Sequence, residues 1–273
     1  MPPRARSRRR LLLTAITACA CAVPALAVAA PTAAQAAVNY VALGDSYSSG
    51  VGAGSYYGSS GSCDRSANAY SVLWANANHP TSYVSVACSG ATTSDVVSSQ
   101  VAALSGSTTL VSITIGGNDV GFTSVMETCV IFSTSDCVSA VHTAEGEIAN
   151  QLPGELNNAL GAIAAHAPNA RVVVLDYPDL YDLSKSSGCI GLSTTDRTDL
   201  NQAADQLDSQ IQAEAGRYGD TFGEVKSAFT GHQICDSSSW LHSVDWFDLG
   251  ESYHPTAAGQ AGGYYPVFSA KAG

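Results

Sequence analysis

Residues 40–50 read YVALGDSYSSG, an apolar run that passes directly into a polar turn. The run Tyr40–Leu43 has the length and the continuous apolar character of a strand that is covered on both faces. Gly44, Asp45 and Ser46 follow it, a pattern typical of a tight turn from a strand into a helix. In a parallel sheet, such a turn lies at the edge where ligands bind. The segment therefore predicts an α/β sheet and the edge of that sheet where chemistry is expected.

Four further β-branched runs continue the strand pattern along the chain: Tyr83–Ala87, Leu110–Ile115, Arg171–Leu175 and Thr221–Val225. Apolar residues at helical spacing occupy the segments 70–77, 141–163 and 200–211 between them. Strands joined by crossover helices imply a parallel sheet with a helical layer on each face. We therefore expect residues 37–273 to form one domain, a three-layer α/β/α sandwich.

The ends of these helices carry their own signals. Pro80 should stop the first helix, and Pro153 should kink or divide the second. Ser193 or Thr194 is a candidate N-cap of the third helix, and Gly219 lies near its end.

The first thirty-six residues have the character of a targeting segment. Five arginines precede an apolar run over residues 11–30, and a small-residue site, AQA, follows at 34–36. This order is typical of a secretory signal peptide. The alternative is a retained membrane anchor, but Pro24 and Pro31 interrupt the apolar stretch, and a spanning helix needs about 20 apolar residues. We predict a signal peptide over 1–36 and a secreted mature chain without an integral membrane segment.

Charge excludes several kinds of partner. The whole chain has 12 basic and 23 acidic side chains, and five of the basic ones belong to residues 1–36. The remaining 237 residues hold seven basic and 23 acidic side chains, a net charge of −16. A nucleic-acid partner is not expected, because neutralising phosphates needs clustered lysine and arginine. Tight docking on an anionic bilayer is disfavoured for the same reason.

Six cysteines remain once the first thirty-six residues are set aside: Cys63, Cys88, Cys129, Cys137, Cys189 and Cys235. An even number in an exported chain suggests disulfides, and six thiols allow 15 pairings. Nearest-neighbour pairing gives Cys63–Cys88, Cys129–Cys137 and Cys189–Cys235. Zinc is the alternative, but the chain has no C-x-x-C pair.

Residues that can carry chemistry follow the first three predicted strands. Ser46 follows the first, Gly90 the second, and Asn118 the third, within the turn GGND at 116–119. Each of these motifs alone is compatible with an ordinary helix cap or turn. A serine hydroxyl needs a base to become a good nucleophile. Of six histidines His254 fits best, because Pro255 suits the first turn of a helix and leaves His254 on the loop before it; His242 is the next to consider.

The chain resembles the SGNH hydrolases, the GDSL-type esterases and lipases, in four blocks that occur in the family's order. These blocks are Gly44-Asp45-Ser46, Gly90, Gly116-x-Asn118 and His254, and they span nearly the whole of residues 37–273. Residues 40–50 and the six cysteines are most similar to secreted actinobacterial lipases and phospholipases A1. The resemblance implies the flavodoxin-like α/β fold of the family and no need for a cofactor or metal.

The resemblance also implies a role for each matched residue. Ser46 attacks the ester carbonyl and His254 takes its proton. The backbone N–H groups of Ser46 and Gly90 and the side-chain amide of Asn118 hold the oxyanion. The family usually has aspartate three residues before the histidine, where this chain has Glu251. Either the Glu251 carboxylate or the backbone carbonyl of Ser252 is therefore expected to orient the imidazole, and we favour the carbonyl, because glutamate needs an extra rotamer fixed.

The expected function is hydrolysis of lipid esters by a secreted, monomeric serine esterase or triacylglycerol lipase. Phospholipase A1 activity is the alternative within the family. A secreted binding module is the alternative outside it, supported only by the 12 tyrosines of the chain. The motifs G-x-S-x-G and H-E-x-x-H are missing from the sequence, which argues against an α/β-hydrolase elbow and against a zinc protease.

Overall fold

The computed structural model describes residues 37–185 and 189–273, so the predicted signal peptide lies outside the described residues. Its centre is one sheet of five strands: Asn39–Ala42 (β1), Ser82–Ser85 (β2), Leu110–Ile113 (β3), Arg171–Leu175 (β4) and Thr221–Gly223 (β5). The strand order is β2-β1-β3-β4-β5, and every neighbouring pair is parallel. The predicted parallel sheet is confirmed.

Four strands end earlier than the sequence predicts, and at the carboxyl ends of β3 and β5 polar side chains take over backbone donors. The N–H of Thr114 donates to Ser48 Oγ at 2.9 Å, and the N–H of Val225 donates to Asp176 Oδ1 at 2.6 Å. The predicted ends at Leu43, Ala87, Ile115 and Val225 move back to Ala42, Ser85, Ile113 and Gly223.

Helices cover both faces of the sheet. The α-helices are Ser46–Ser49 (α1), Tyr70–Asn78 (α2), Thr93–Ser98 (α3), Phe122–Ile131 (α4), Thr134–Asn150 (α5), Leu152–His166 (α6), Thr194–Tyr218 (α7), Lys226–Phe229 (α8), Ala257–Gly259 (α9) and Tyr265–Ala272 (α10). A π-helical turn, Gln260–Tyr264, joins α9 to α10, and 3₁₀ turns occur at Gly58–Cys63, Gln100–Ala103 and Leu249–Glu251. One layer contains α2 and α10, and the other contains α3, α6 and α7 with α5 packed outside. Among the described residues, none of these helices is long and apolar enough to cross a bilayer.

The predicted helix boundaries are confirmed. Pro153 lies in the first turn of α6, which begins at Leu152, directly after the end of α5 at Asn150 and the cap residue Gln151. Ser193 caps α7 by accepting a hydrogen bond from the Asp196 N–H, and Gly219 ends that helix in the left-handed region at φ 71°.

A cluster of buried aromatic rings holds the C-terminal helix against the sheet. The rings of Tyr40 and Phe268 stack with their centroids 5.3 Å apart, and those of Tyr70 and Tyr264 stack at 5.6 Å. All four side chains are completely buried. Because α10 continues from the segment after His254, this packing also anchors the chain that carries the predicted base.

Three disulfides join the pairs that nearest-neighbour pairing gives, Cys63–Cys88, Cys129–Cys137 and Cys189–Cys235. We expect thiol titration of the denatured, unreduced mature protein to find no free cysteine. Reduction should lower the melting temperature, because a bridge typically contributes ~2–4 kcal/mol by restricting the unfolded chain. Peptide mapping that finds a different pairing, such as a link between Cys63 and Cys129, would contradict this framework.

Candidate active site

The strand order creates a switch point between β1 and β3, because β1 connects towards β2 and β3 connects the opposite way towards β4. Ligands bind at such a point, beyond the carboxyl ends of the two strands. Ser46 begins the helix after β1, and Asn118 lies in the loop after β3. The hydrogen bond from the Asp45 N–H to the Thr114 carbonyl, at 3.0 Å, keeps the two segments together up to the serine.

Gly44 makes the tight turn before Ser46 possible. Its φ is +118°, and a Cβ at this position would lie 2.3 Å from the carbonyl oxygen of Thr114. Both the conformation and the close approach of β3 therefore require glycine.

Asp45 is the N-cap of α1, which agrees with the helix-cap interpretation of the motif. This cap fixes the position of Ser46. Asp45 Oδ1 accepts hydrogen bonds from the Tyr47 N–H at 3.0 Å and the Thr114 hydroxyl at 2.8 Å. The Tyr177 hydroxyl donates to Oδ2. Burial raises the pKa of the Asp45 carboxyl to about 6, although these hydrogen bonds favour the ionised form.

Ser46 and His254 meet at hydrogen-bond distance. Ser46 Oγ lies 2.7 Å from His254 Nε2, and His254 Nδ1 lies 3.0 Å from the backbone carbonyl oxygen of Ser252. With the proton on Nδ1 donated to that carbonyl, Nε2 is free to accept the serine proton. Burial lowers the pKa of His254 to about 4, so the ring is neutral near pH 7.

The histidine loop is held by contacts that span most of the chain. The Tyr47 hydroxyl donates to the Tyr253 carbonyl at 2.7 Å, and the Tyr47 ring lies 5.2 Å from that of His254. Tyr253 is buried and left-handed at φ 65°, a conformation that costs a non-glycine residue about 1–2 kcal/mol. His242, the second histidine considered, pairs with this loop through its backbone and places Nε2 at 2.8 Å from the Gly52 carbonyl. It therefore supports the loop and does not contact Ser46.

The Glu251 side chain is engaged elsewhere. Its carboxylate accepts a hydrogen bond from the Tyr56 hydroxyl, and its backbone carbonyl accepts from the His254 N–H at 3.2 Å. In this geometry the hydrogen-bond partner of His254 Nδ1 is the Ser252 carbonyl and not the Glu251 carboxylate.

We expect Glu251→Gln to reduce turnover of a short-chain ester by less than ~10-fold, since it removes a charge that the imidazole does not contact. Ser252→Ala keeps the backbone acceptor and should behave similarly. The two variants are compared with the parent enzyme in one assay. A loss of about three orders of magnitude in Glu251→Gln alone would establish a carboxylate triad, because an analogous change in a serine protease costs ~10⁴-fold.

The three predicted oxyanion donors surround the same space. Ser46, Gly90, Asn118 and His254 line one open groove. The backbone N–H groups of Ser46 and Gly90 have no acceptor among the described residues, and the Asn118 amide donates to the Ala91 carbonyl at 2.9 Å. Gly90 adopts φ +77°, so the left-handed turn accounts for the glycine here.

Tyr177 links the serine turn to the oxyanion loop, a role that the sequence did not predict. Its hydroxyl donates to Asp45 and accepts from the Gly117 N–H at 3.2 Å. On the far side of that loop, Asp119 accepts from both the N–H and the hydroxyl of Thr93, at 3.0 and 2.6 Å. Ser46 and Asn118 are therefore positioned by one hydrogen-bonded network.

Two spaces of different character meet at Ser46. The first is a pocket that runs between α4, α5 and α7. Apart from the residues around Ser46, its walls are almost wholly apolar: Val120, Phe122, Val125, Ile148, Leu180, Leu200 and Leu207. The second is the open groove, bounded by α4 and by residues 244–254. Both spaces reach Ser46 and Asn118.

Residues 42–261 match the model of the GDSL-like lipase/acylhydrolase family. The chain belongs to this family. The family predicted from the four sequence blocks is confirmed, and membership makes the chain a carboxylic-ester hydrolase. The range covers the serine turn, both loops after β2 and β3, and the histidine loop.

Relatives within the GDSL-like lipase/acylhydrolase family extend over nearly the whole chain. Lipase 1 of Streptomyces coelicolor is 52% identical over 261 residues, which are 96% of this chain and 97% of the relative. The crystal structure of phospholipase A1 from Streptomyces albidoflavus superimposes with a TM-score of 0.85 at 54% identity, over 87% of this chain and all of the other. An extracellular lipase from Streptomyces rimosus gives a TM-score of 0.84 at 47% identity, over 86% of this chain and all of the other.

Proposed function

We propose that this chain is a secreted, monomeric serine hydrolase of lipid esters that works through an acyl-enzyme on Ser46. The observation that carries the proposal is the 2.7 Å contact between Ser46 Oγ and His254 Nε2, at the junction of an apolar pocket and an open groove. A nucleophile within reach of a neutral base is the arrangement that covalent acyl transfer needs.

The reaction follows from the positions of these atoms. His254 Nε2 takes the hydroxyl proton as Ser46 Oγ bonds to the ester carbonyl carbon. The N–H groups of Ser46 and Gly90 and the Asn118 amide donate to the oxyanion. The imidazolium then gives its proton to the leaving alcohol as the C–O bond breaks. Water, deprotonated by His254, repeats the sequence on the acyl-enzyme and releases the fatty acid.

The Ser252 carbonyl takes the place of the carboxylate that completes a catalytic triad. It accepts a hydrogen bond from the Nδ1–H group, fixes the tautomer and interacts favourably with the imidazolium that forms. Burial opposes that charge, which is the cause of the lowered pKa of His254.

The lowered pKa of His254 predicts an unusually acidic limit of activity. His254 must be neutral to accept the proton, and a base whose pKa falls from 6.5 to about 4 stays neutral down to lower pH. We therefore expect kcat/KM for a soluble ester to persist below about pH 6 and to fall by half near pH 4. The measurement is a profile from about pH 8 to about pH 3.5, with circular dichroism to verify folding.

Burial also raises the pKa of Asp45, the residue before the nucleophile, to about 6, so the profile is repeated with Asp45→Asn. This variant removes any change in the pH profile that is caused by protonation of the Asp45 carboxylate. A half-loss of kcat/KM near pH 6.5 that persists in Asp45→Asn would show that the pKa of His254 is not lowered.

The two spaces at Ser46 suit an ester with more than one long chain. The apolar pocket takes the acyl chain that is cleaved, because apolar side chains dominate its walls. The open groove, with Met126, Val130 and Trp246 on its walls, takes the alcohol part, which in a glyceride carries further acyl chains. Triacylglycerol or a simpler fatty ester is the proposed substrate.

Phospholipase A1 activity is the second candidate. Its support is the 54% identity and TM-score of 0.85 to the phospholipase A1 of Streptomyces albidoflavus. In this candidate the headgroup and the second chain of the phospholipid lie in the open groove.

Secretion is supported from three sides. Residues 1–36 have the order of a signal peptide, the described chain contains three disulfides, and an extracellular lipase is among the relatives. Detection of a mature chain beginning at Ala37 in culture medium would test this part of the proposal.

The substrate is tested by assaying the mature protein in parallel on p-nitrophenyl esters of graded length, a triglyceride emulsion and phosphatidylcholine. Positional analysis of the lysophospholipid separates cleavage at the first carbon from cleavage at the second. Higher turnover of the emulsion supports the lipase, and selective release from the first carbon supports phospholipase A1. A mature protein that hydrolyses none of the three substrates would overturn the proposed function.

A further inference from the structure

Five large apolar side chains are exposed around the mouth of the open groove: Ile131, Phe132, Trp246, Phe247 and Leu249, here called the rim cluster. Four of them are between 62% and 67% exposed, and Phe247 is fully exposed at 103%. A single exposed apolar side chain is ordinary, but several around one opening mark an interaction surface.

Two segments bring the rim cluster to the groove. Ile131 at the end of α4, and Trp246 and Leu249 in the segment before His254, line the same groove as Ser46 and His254. Phe132 and Phe247 are adjacent in sequence to these residues but do not line the groove. Both are exposed and each follows a residue that lines the groove, so we infer that a surface docked on the rim cluster would cover the entrance to the active site.

The charges beside the rim cluster decide which surface it fits. The segments 122–137 and 240–254 together contain five acidic residues, Glu127, Asp136, Asp245, Asp248 and Glu251, and no lysine or arginine. An anionic surface would be repelled, since binding to anionic lipid depends on basic side chains. Aromatic side chains such as Trp246 and Phe247 favour a boundary between apolar and polar phases.

We propose that the rim cluster docks this enzyme on the surface of aggregated, electrically neutral lipid, from which the substrate passes directly into the groove. This rests on the proposed function, in which the substrate is a lipid ester. Burial of the rim side chains in the interface provides the affinity. When the groove faces the lipid, a substrate molecule moves from the aggregate into the groove without entering water.

The direct test measures binding without hydrolysis, in the Ser46→Ala background. Flotation with phosphatidylcholine vesicles compares this protein with one that also carries Phe132→Ser and Phe247→Ser. We expect the two serine substitutions to weaken partitioning about tenfold or more, because each removes a large apolar side chain from the interface. Val84→Ser, on the edge strand β2 and outside both rim segments, is the matched control and should change partitioning less than twofold.

Three results would overturn the docking proposal. The first is equal partitioning of the Phe132→Ser, Phe247→Ser protein. The second is tighter binding when part of the phosphatidylcholine is replaced by phosphatidylglycerol, which would require basic contacts. The third is a dimer by light scattering that the two substitutions dissociate, since the rim cluster would then bind a second copy of the chain.

Activity assays separate this proposal from the proposed function. In the enzyme with Ser46 intact, Phe132→Ser and Phe247→Ser should leave hydrolysis of a soluble, monomeric ester within twofold and reduce hydrolysis of an emulsion about tenfold. Equal losses on both substrates would indicate damage to the groove and overturn the docking role. An enzyme inactive on every ester would refute the proposed function, whereas vesicle binding by Ser46→Ala would still decide the docking proposal.

Discussion

Ser46→Ala is expected to abolish ester hydrolysis, with a loss of turnover of at least ~10³-fold and a melting temperature close to that of the parent. In the proposed mechanism the hydroxyl forms the bond to the substrate, so no other group should replace it. Its hydrogen bond in the free enzyme goes to His254 Nε2, and its removal leaves the helix cap from Asp45 in place. The effect should therefore appear in kcat and not in stability.

The partner of Ser46 should show a comparable loss. His254→Asn removes the base but preserves a polar side chain of similar length. His166→Asn is the matched control, because His166 is exposed at the end of α6 and its Nδ1 contacts only the Ala162 carbonyl among the described residues. Retention of more than about one percent of activity by Ser46→Ala or His254→Asn would refute the assignment of the dyad.

Asn118→Ala is expected to reduce kcat by 10²–10³-fold, equivalent to about 2.7–4 kcal/mol of transition-state stabilisation. Asn118 lines the groove with Ser46 and His254, and its amide is the side-chain donor of the predicted oxyanion hole. An oxyanion donor acts mainly in the transition state, so KM should change little. Steady-state kinetics on a soluble ester measure the two parameters separately.

Two further variants control for shape. Asn118→Asp preserves the size of the side chain but loses the amide donor, and it should be impaired as strongly as Asn118→Ala. Asn150→Ala removes an exposed asparagine of α5 whose amide contacts only the Gly146 carbonyl among the described residues, and it should be unaffected. A loss below ~10-fold in Asn118→Ala, or a loss confined to KM, would exclude Asn118 from the oxyanion hole.

Local patterns in the sequence were sufficient to predict the strands of the sheet and the division of the long helix. All five strands occur where the apolar runs place them, and the helix divides at Pro153. The order of the strands was not accessible in this way, because it depends on packing between distant segments. Strand ends were placed too late where side chains such as Ser48 and Asp176 take the backbone donors.

The site residues that follow the strands could be predicted from the sequence for a different reason. Parallel strands bring their carboxyl ends to one edge, so Ser46, Gly90 and Asn118 had to approach one another once the fold was correct. The hydrogen bonds that hold the site in place could not be predicted from the sequence. Tyr47 reaches the Tyr253 carbonyl across 206 residues of sequence, and Tyr177 reaches Asp45 across 132. No local pattern distinguishes these tyrosines from the other members of an aromatic-rich core.

The central claim is that Ser46 is an activated nucleophile, and covalent labelling of the folded mature protein tests it most directly. A fluorophosphonate probe should modify one residue, and peptide mass spectrometry should place the adduct on Ser46. Ser46→Ala and the denatured protein should remain unlabelled, because labelling requires both the hydroxyl and its contact with His254. A folded protein that stays unlabelled, or an adduct on a different serine, would contradict the account.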